Sequence, residues 1–250
     1  MTQDLFRQDA YLRECNAHIT AVTDVGIVLD QTVFYPLGGG QAGDSGVLVL
    51  ADGTQITIAD TRKGKDAEGQ PTRDIVHIPA PGQEDRVAQL QPGTAVTARI
   101  DWERRHRMMR LHTTSHLLCH VVPQLVNGCS ITPDYARLDF AMTDPLDKEQ
   151  LTTAIATLVA AAHPLTVASI SDEELDANPA LVKSMSVQPP RGTGRIRTIR
   201  IGGDGDAPLI DLQPCGGTHV ANTSEIGSIV VTKIEKKSAT TRRVVLGFAP

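Results

Sequence analysis

The stretch "DWERRHRMMRLHTTSHLLCHVVPQLV" (residues 101–126) divides the chain. Within it Met108, Leu111, Ser115, Leu118, Val122 and Leu125 recur at intervals of three and four, the period of an α-helix with one nearly apolar face. Pro123 has no N–H to donate and kinks or shortens the end of that helix. Upstream the pattern belongs to strands. "HITAVTDVGIVLD" (18–30), "GVLVLADGTQITIAD" (46–60), "DIVHI" (74–78) and "TAVTARID" (94–101) are rich in β-branched residues. Asp52-Gly53 suits a type I′ hairpin turn. The polar segment "RKGKDAEGQPTRD" (62–74) reads as a mobile loop. Short strands separated by turn signals predict a small β-barrel or sandwich over residues 1–100.

Downstream, helices and strands mix. "TDPLDKEQLTTAIATLVAAAH" (143–163) offers Asp144 as cap, Pro145 in the first turn and a stripe of Leu151, Ile155, Leu158 and Ala162. Ser171 with Glu174 has capping-box spacing. Strands are expected at 137–142, 165–170, 195–201 and 207–213, and a last hairpin joins "IGSIVVTKI" to "RRVVLGF". The predicted fold class is α+β, with a second domain over residues 101–250 built on a mostly antiparallel sheet with packed helices.

Bulk composition narrows the function. The chain has 250 residues, 40% hydrophobic and 21% charged, enough for a sizeable core. It has no run of about 18 apolar residues and no signal-peptide pattern near its start, so a cytoplasmic protein with reduced cysteines is expected. Net charge is −5, which argues mildly against nucleic acid. Three basic stretches offset this: Arg104, Arg105, Arg107 and Arg110; Arg191, Arg195, Arg197 and Arg200; and Lys233 through Arg243. They are either local basic surfaces or ordinary solvated faces.

The chemistry concentrates in two places. His112 and His116, four apart on a helix, project from one face. Near the other end, "DLQPCGGTHV" (211–220) puts Cys215 and His219 around two glycines, a poor context for a helix and a good one for a tight turn. Each pair alone is a weak signal. Together they supply three imidazoles and one thiolate, a full set for Zn²⁺ rather than for magnesium or calcium. Four protein ligands suit a structural ion; one ligand standing off suits a catalytic one, and spacing does not choose between these. Cys15, Cys119 and Cys129 read as thiols without a role, and His106 and His120 as bystanders.

Taken with "FYPLGGGQAGDSG" (34–46), "MSVQPPRGTGRIR" (185–197) and "CGGTHVANTSEIG" (215–227), "RLHTTSHLL" and "QPCGGTHV" resemble the motifs of the alanyl-tRNA synthetase editing domain and of its free-standing relatives, the AlaX-type editing proteins. The threonyl-tRNA synthetase editing domain is a weaker likeness. No aminoacylation core is recognisable, so the medium-length free-standing form is expected. The resemblance implies a trans-editing hydrolase that cleaves the ester of misacylated alanine tRNA, chiefly seryl-tRNA(Ala), with the glycyl ester as a further candidate. It implies zinc at His112, His116, Cys215 and His219. Thr113 then binds the seryl hydroxyl, with Thr114 and Ser115 as rival donors, and a helix hydroxyl bonding back to a carbonyl as the structural alternative. Gly38, Gly39, Gly40 and Gln41 form a loop that approaches the terminal ribose or the attacking water; the alternative is a tight rim turn. Relatives often carry an acidic residue where Leu37 stands. Arg104, Arg107 and Arg191 are expected on acceptor-stem phosphates, since 3% aromatic content makes base stacking a minor contact. A monomer is expected. The competing reading is a zinc-stabilised, non-catalytic tRNA-binding module.

Overall fold

The computed structural model describes residues 1–189, 194–203, 205 and 208–249. Arg191, expected on tRNA phosphate, lies outside them. The chain forms two compact units, Met1–His106 and Arg107–Pro250.

The first unit runs β1 (Gln3–Asp4), β2 (Glu14–Val22), β3 (Ile27–Leu29), β4 (Gln31–Thr32), β5 (Gly46–Leu50), β6 (Gln55–Lys65), β7 (Pro71–Pro79), the short α1 (Glu84–Val87) and β8 (Ala95–Ile100). Six strands bond in the order β2-β3-β7-β6-β5-β8, and β8 returns to pair with β2, closing the ladder as a barrel. Alternation fills it: Ile56 and Ile58 from β6, and Val96, Ala98 and Ile100 from β8, point inward with Ile19, Leu29, Phe34 and Leu48.

Residues 18–30 fall on two strands, because Thr23 and Gly26 close a turn between them. Two expectations need correction here. At Asp52-Gly53 only Gly53 has positive φ, at 84°, and its N–H bonds to Leu50 O. A type I′ turn needs both central residues at positive φ, so this is a different turn. Residues 62–74 are no free loop either: β6 and β7 extend through them, and Asp66 closes the turn by accepting from Gln70 N. Their polarity marks a solvent-exposed ladder rather than an absence of structure.

α2 (Trp102–Val121) begins in the first unit and continues into the second. It is not amphipathic: every residue from 111 to 119 is buried. A helix covered on all sides needs no polar stripe. It stops before Pro123, and Leu125, placed by periodicity on the apolar stripe, is 50% exposed outside it.

The second unit continues with β9 (Val126–Ile131), β10 (Tyr135–Ala141), α3 (Lys148–Ala160), β11 (Leu165–Ile170), α4 (Asp172–Ala177), β12 (Ile196–Gly202), β13 (Leu209–Pro214), β14 (Ile229–Ser238) and β15 (Thr241–Phe248). The strands form two antiparallel sheets, β14-β15-β10-β9 and β11-β12-β13. With helices packed beside mostly antiparallel strands, the chain is α+β. β9 begins at Val126, the last residue of the stretch that had read as helix. α3 starts later than expected, with Asp147 as cap in place of Asp144: its Oδ1 accepts from Gln150 N at 2.8 Å. Ser171 caps α4 with a reciprocal Glu174 bond, as its spacing predicts.

Candidate metal centre

The second unit brings His112, His116, Cys215 and His219 together, with donor atoms all within 4.8 Å of one another. α2 supplies the first two one turn apart. β13 delivers the others: Asp211, Gln213 and Cys215 alternate on one side of the extended chain, and the turn after Pro214 carries His219 back. Cys215 Sγ lies 3.5 Å from His112 Nε2 and 3.3 Å from His219 Nε2. A tetrahedral ion with metal–sulfur about 2.3 Å and metal–nitrogen about 2.0–2.1 Å has sulfur–nitrogen edges of about 3.5 Å. These two sulfur–nitrogen distances therefore fit such an ion.

The protonation states of Cys215 and His219 agree. Burial opposes ionisation of the Cys215 thiol, yet His112 and His219 beside it hold its pKa well below the ordinary value. His219 is pushed down to about 3, chiefly by burial and then by His112. A thiolate and a neutral imidazole are what coordination requires. Burial alone lowers His116, but its hydrogen bonds to Asp211 and Cys215 outweigh that and lift it to about 9. The three histidines are 5–6% exposed, so bulk water is largely excluded.

The turn is tight without unusual backbone: neither Gly216 nor Gly217 is among the positive-φ residues. Arg197 holds it instead. Its Nη1 donates to Cys215 O at 2.6 Å and to Gly217 O at 3.0 Å. The arginines of 195–200 are thus occupied within the protein, since Arg195 bonds to Ser169 and Arg200 to Gly203 O. On charge alone, sequence reading left this stretch as a basic surface or a solvated face; Ser169, Cys215 and Gly217 meet it from other segments.

The three hydroxyls after His112 separate cleanly. Thr114 and Ser115 bond back to Arg110 O and Leu111 O, the helix-internal alternative. Thr113, fully buried, does not: its Oγ1 accepts from Val220 N at 3.3 Å and lies 3.2 Å from His219 Nδ1.

The glycine loop and Gln41 belong to the first unit. Gly38 and Gln41 exchange backbone bonds around Gly39 and Gly40, at φ 58° and 85°, so here the two-residue turn with positive φ at both positions does occur. Tyr35 Oη donates to Gly38 O at 2.8 Å, Gln41 is fully buried, and Leu37 is half exposed. Arg104 Nη2 donates to Gly43 O. In the second unit, Arg107 and Arg110 share the Phe248 ring, at 4.1 and 4.5 Å from its centroid, and Arg107 Nε donates to Pro133 O.

Sequence reading counted Arg105 in a basic surface. The structure buries it completely against Asp44, with Nε at 3.0 and 2.9 Å from the carboxylate oxygens and further bonds to Ala10 O and Val33 O. Asp211, Lys183 and Gln213 also went unseen. Asp211 and Gln213 were readable as Cys215's strand-face neighbours; Lys183 had no signal at all.

Fold and site define an α+β protein with a six-stranded barrel, two further antiparallel sheets, and three histidines and one cysteine placed so that they could hold a metal. Residues 196–245 match the family model described as threonyl and alanyl tRNA synthetase second additional domain, and residues 7–104 match that for class II (A) tRNA synthetases. The alanyl-tRNA editing protein AlaX-M of Saccharolobus solfataricus is 32% identical over 254 residues, covering 100% of both chains. That of Methanosarcina acetivorans is 31% identical over 253 residues, 98% of each. The alanine–tRNA ligase of Metallosphaera sedula is 33% identical over 244 residues, 94% of this chain and 25% of the ligase. The chain belongs to the AlaX-M family of alanyl-tRNA editing proteins.

Proposed function

We propose that this protein is a zinc-containing hydrolase that removes serine from mischarged alanine tRNA, acting in the cytoplasm as a monomer. The observation that carries the reading is the convergence of His112, His116, Cys215 and His219 in a full-length relative of the AlaX-M proteins. A bound zinc ion supplies electrostatic stabilisation to an ester carbonyl or holds the substrate amine. The residues of the chain do the rest. The near-buried histidines keep the site dry, so polar contacts there discriminate strongly.

Thr113 is assigned the selection for serine. With Nε2 of His219 facing sulfur, its Nδ1–H and the Val220 N–H take both acceptor sites of Oγ1. The hydroxyl proton remains, and a seryl oxygen can accept it. An alanyl ester offers no acceptor there, and a site built on a substrate hydroxyl rejects the analogue lacking it by about 10⁴-fold. Gln41 and the Gly38–Gly40 turn are assigned to the terminal ribose or the attacking water, and Arg104 and Arg107 to acceptor-stem phosphates, with Arg191 as a further contact.

The test is deacylation of alanine tRNA charged with serine, glycine or alanine, followed as free amino acid. Serine release at least a hundredfold faster than alanine release is expected, and a large loss in His116→Ala. Serine release by His116→Ala as fast as by native protein would overturn the hydrolase mechanism, and native protein that retains metal on four ligands yet releases no serine would leave a non-catalytic tRNA-binding module.

A further inference from the structure

The Asp211 carboxylate has no solvent exposure and sits behind the metal site. Three donors converge on it. His116 Nδ1 donates to Oδ2 at 2.7 Å, Gln213 Nε2 donates to the same oxygen at 2.8 Å, and Lys183 Nζ pairs with Oδ1. A buried carboxylate costs several kcal/mol unless it is paired and hydrogen-bonded, so so complete a set of partners holds it in one orientation. Since a carboxylate only accepts, His116 must carry a proton on Nδ1, so Nε2 is the nitrogen that a metal would take in exchange for any proton there. Gln213 Nε2 lies 3.0 Å from His116 Nδ1 as well, so both groups point at one oxygen and the imidazole plane is fixed by it. Lys183 comes from the segment after Leu181 and keeps 27% of its side chain exposed, beside a cavity of about 450 Å³ that it shares with Asn178 and Leu209. Its ammonium balances the carboxylate at the one side that opens to water.

We infer that Asp211 is a positioning residue of the metal centre: held by Gln213 and Lys183, it sets the tautomer and plane of His116. It acts through His116 and contacts no substrate. The inference rests on the metal reading above. Outer partners of metal-bound histidines typically contribute 10–100-fold to metal affinity.

The experiment uses the full chain, with zinc affinity measured by competition with a chromophoric chelator, and side-chain ¹⁵N spectra of the zinc form. Asp211→Ala is expected to bind zinc about 10–100-fold more weakly. Asp211→Asn, whose carbonyl still accepts from Nδ1–H, should recover part of that loss. In the native protein His116 should show Nδ1 protonated and Nε2 bound. Zinc affinity of a folded Asp211→Ala within about twofold of native overturns the inference, as does coordination of His116 through Nδ1. The tautomer is read on the native chain and decides the matter even where Asp211→Ala does not fold. A native chain that binds no zinc at all overturns the metal reading itself, together with this one.

Discussion

Arg105 and Asp44 form the most consequential single pair in the first unit. Both side chains are essentially inaccessible to solvent, at 0% and 1% exposure. Asp44 also accepts from Tyr35 N at 2.6 Å, nine residues before it in the chain, so the pair spans the glycine loop. Removing one member leaves an uncompensated buried charge, which costs about 3–5 kcal/mol. Arg105→Met should therefore lower the urea midpoint strongly, and the double variant Arg105→Met, Asp44→Asn should be more stable than Arg105→Met alone. Arg197 presents a milder case at the metal centre. Its guanidinium satisfies the carbonyls of Cys215 and Gly217, and losing the donors leaves two acceptors short of partners, at about 1–3 kcal/mol each where they stay dry. Arg197→Ala is expected to release zinc faster in a chelator chase than native protein. An unchanged release rate would mean the turn holds its shape without the clamp. In sequence these two arginines look like their neighbours; only the fold distinguishes Arg105 and Arg197 from residues that face water.

At the scale of elements, α3 tests which aspartate starts the helix. Asp147 accepts from Gln150 N, so Asp147→Ala should cost about 1 kcal/mol, the usual worth of such a cap. Asp144→Ala, outside the helix, should change the melting temperature little. The opposite order would restore the start expected from Asp144-Pro145. What sequence conveyed and what it hid divide along the same line. Local, repetitive signals were readable: the strands of the first unit, the capping box at Ser171, the i,i+4 histidines and the Cys-Gly-Gly-Thr-His turn. Signals that depend on what an element packs against were not. The period in 108–125 ran past the end of α2: Val122 is buried as the stripe requires, but Pro123 ends the helix and Leu125, the next residue in the pattern, is half exposed. The charged 62–74 segment looked unstructured, because a ladder facing water has little apolar alternation. The four metal donors were legible because each motif is compact. Asp211 needed only the period of two along β13, whereas Lys183 meets it from 28 residues away and no spacing rule reaches that far.

Across the whole molecule, the first unit carries a proton-linked stability term in His77. This residue is fully buried on β7: Nδ1 lies 3.0 Å from Ile27 O and Nε2 lies 2.8 Å from Thr32 Oγ1. A carbonyl only accepts, so Nδ1 carries the proton and Nε2 accepts from the threonine hydroxyl, which leaves the ring neutral. Burial, partly offset by the Ile27 bond, depresses its pKa from 6.5 to about 4. The unfolded chain takes up a proton near pH 6.5 and the folded unit does not until about pH 4. The stabilisation is therefore complete above pH 6.5 and declines as pH falls, by about 1.4 kcal/mol per unit, to a loss of about 3 kcal/mol near pH 4. Trp102, the one tryptophan, packs against the barrel core beside Arg13 and His106, so its fluorescence reports on this unit. Urea titrations of native protein and His77→Gln between pH 7 and 4, read at Trp102, separate this term from the carboxylates common to both. The stability difference between the two should shift toward the variant by about 3 kcal/mol across that window. A difference that stays constant with pH would show that the barrel accepts an imidazolium at His77.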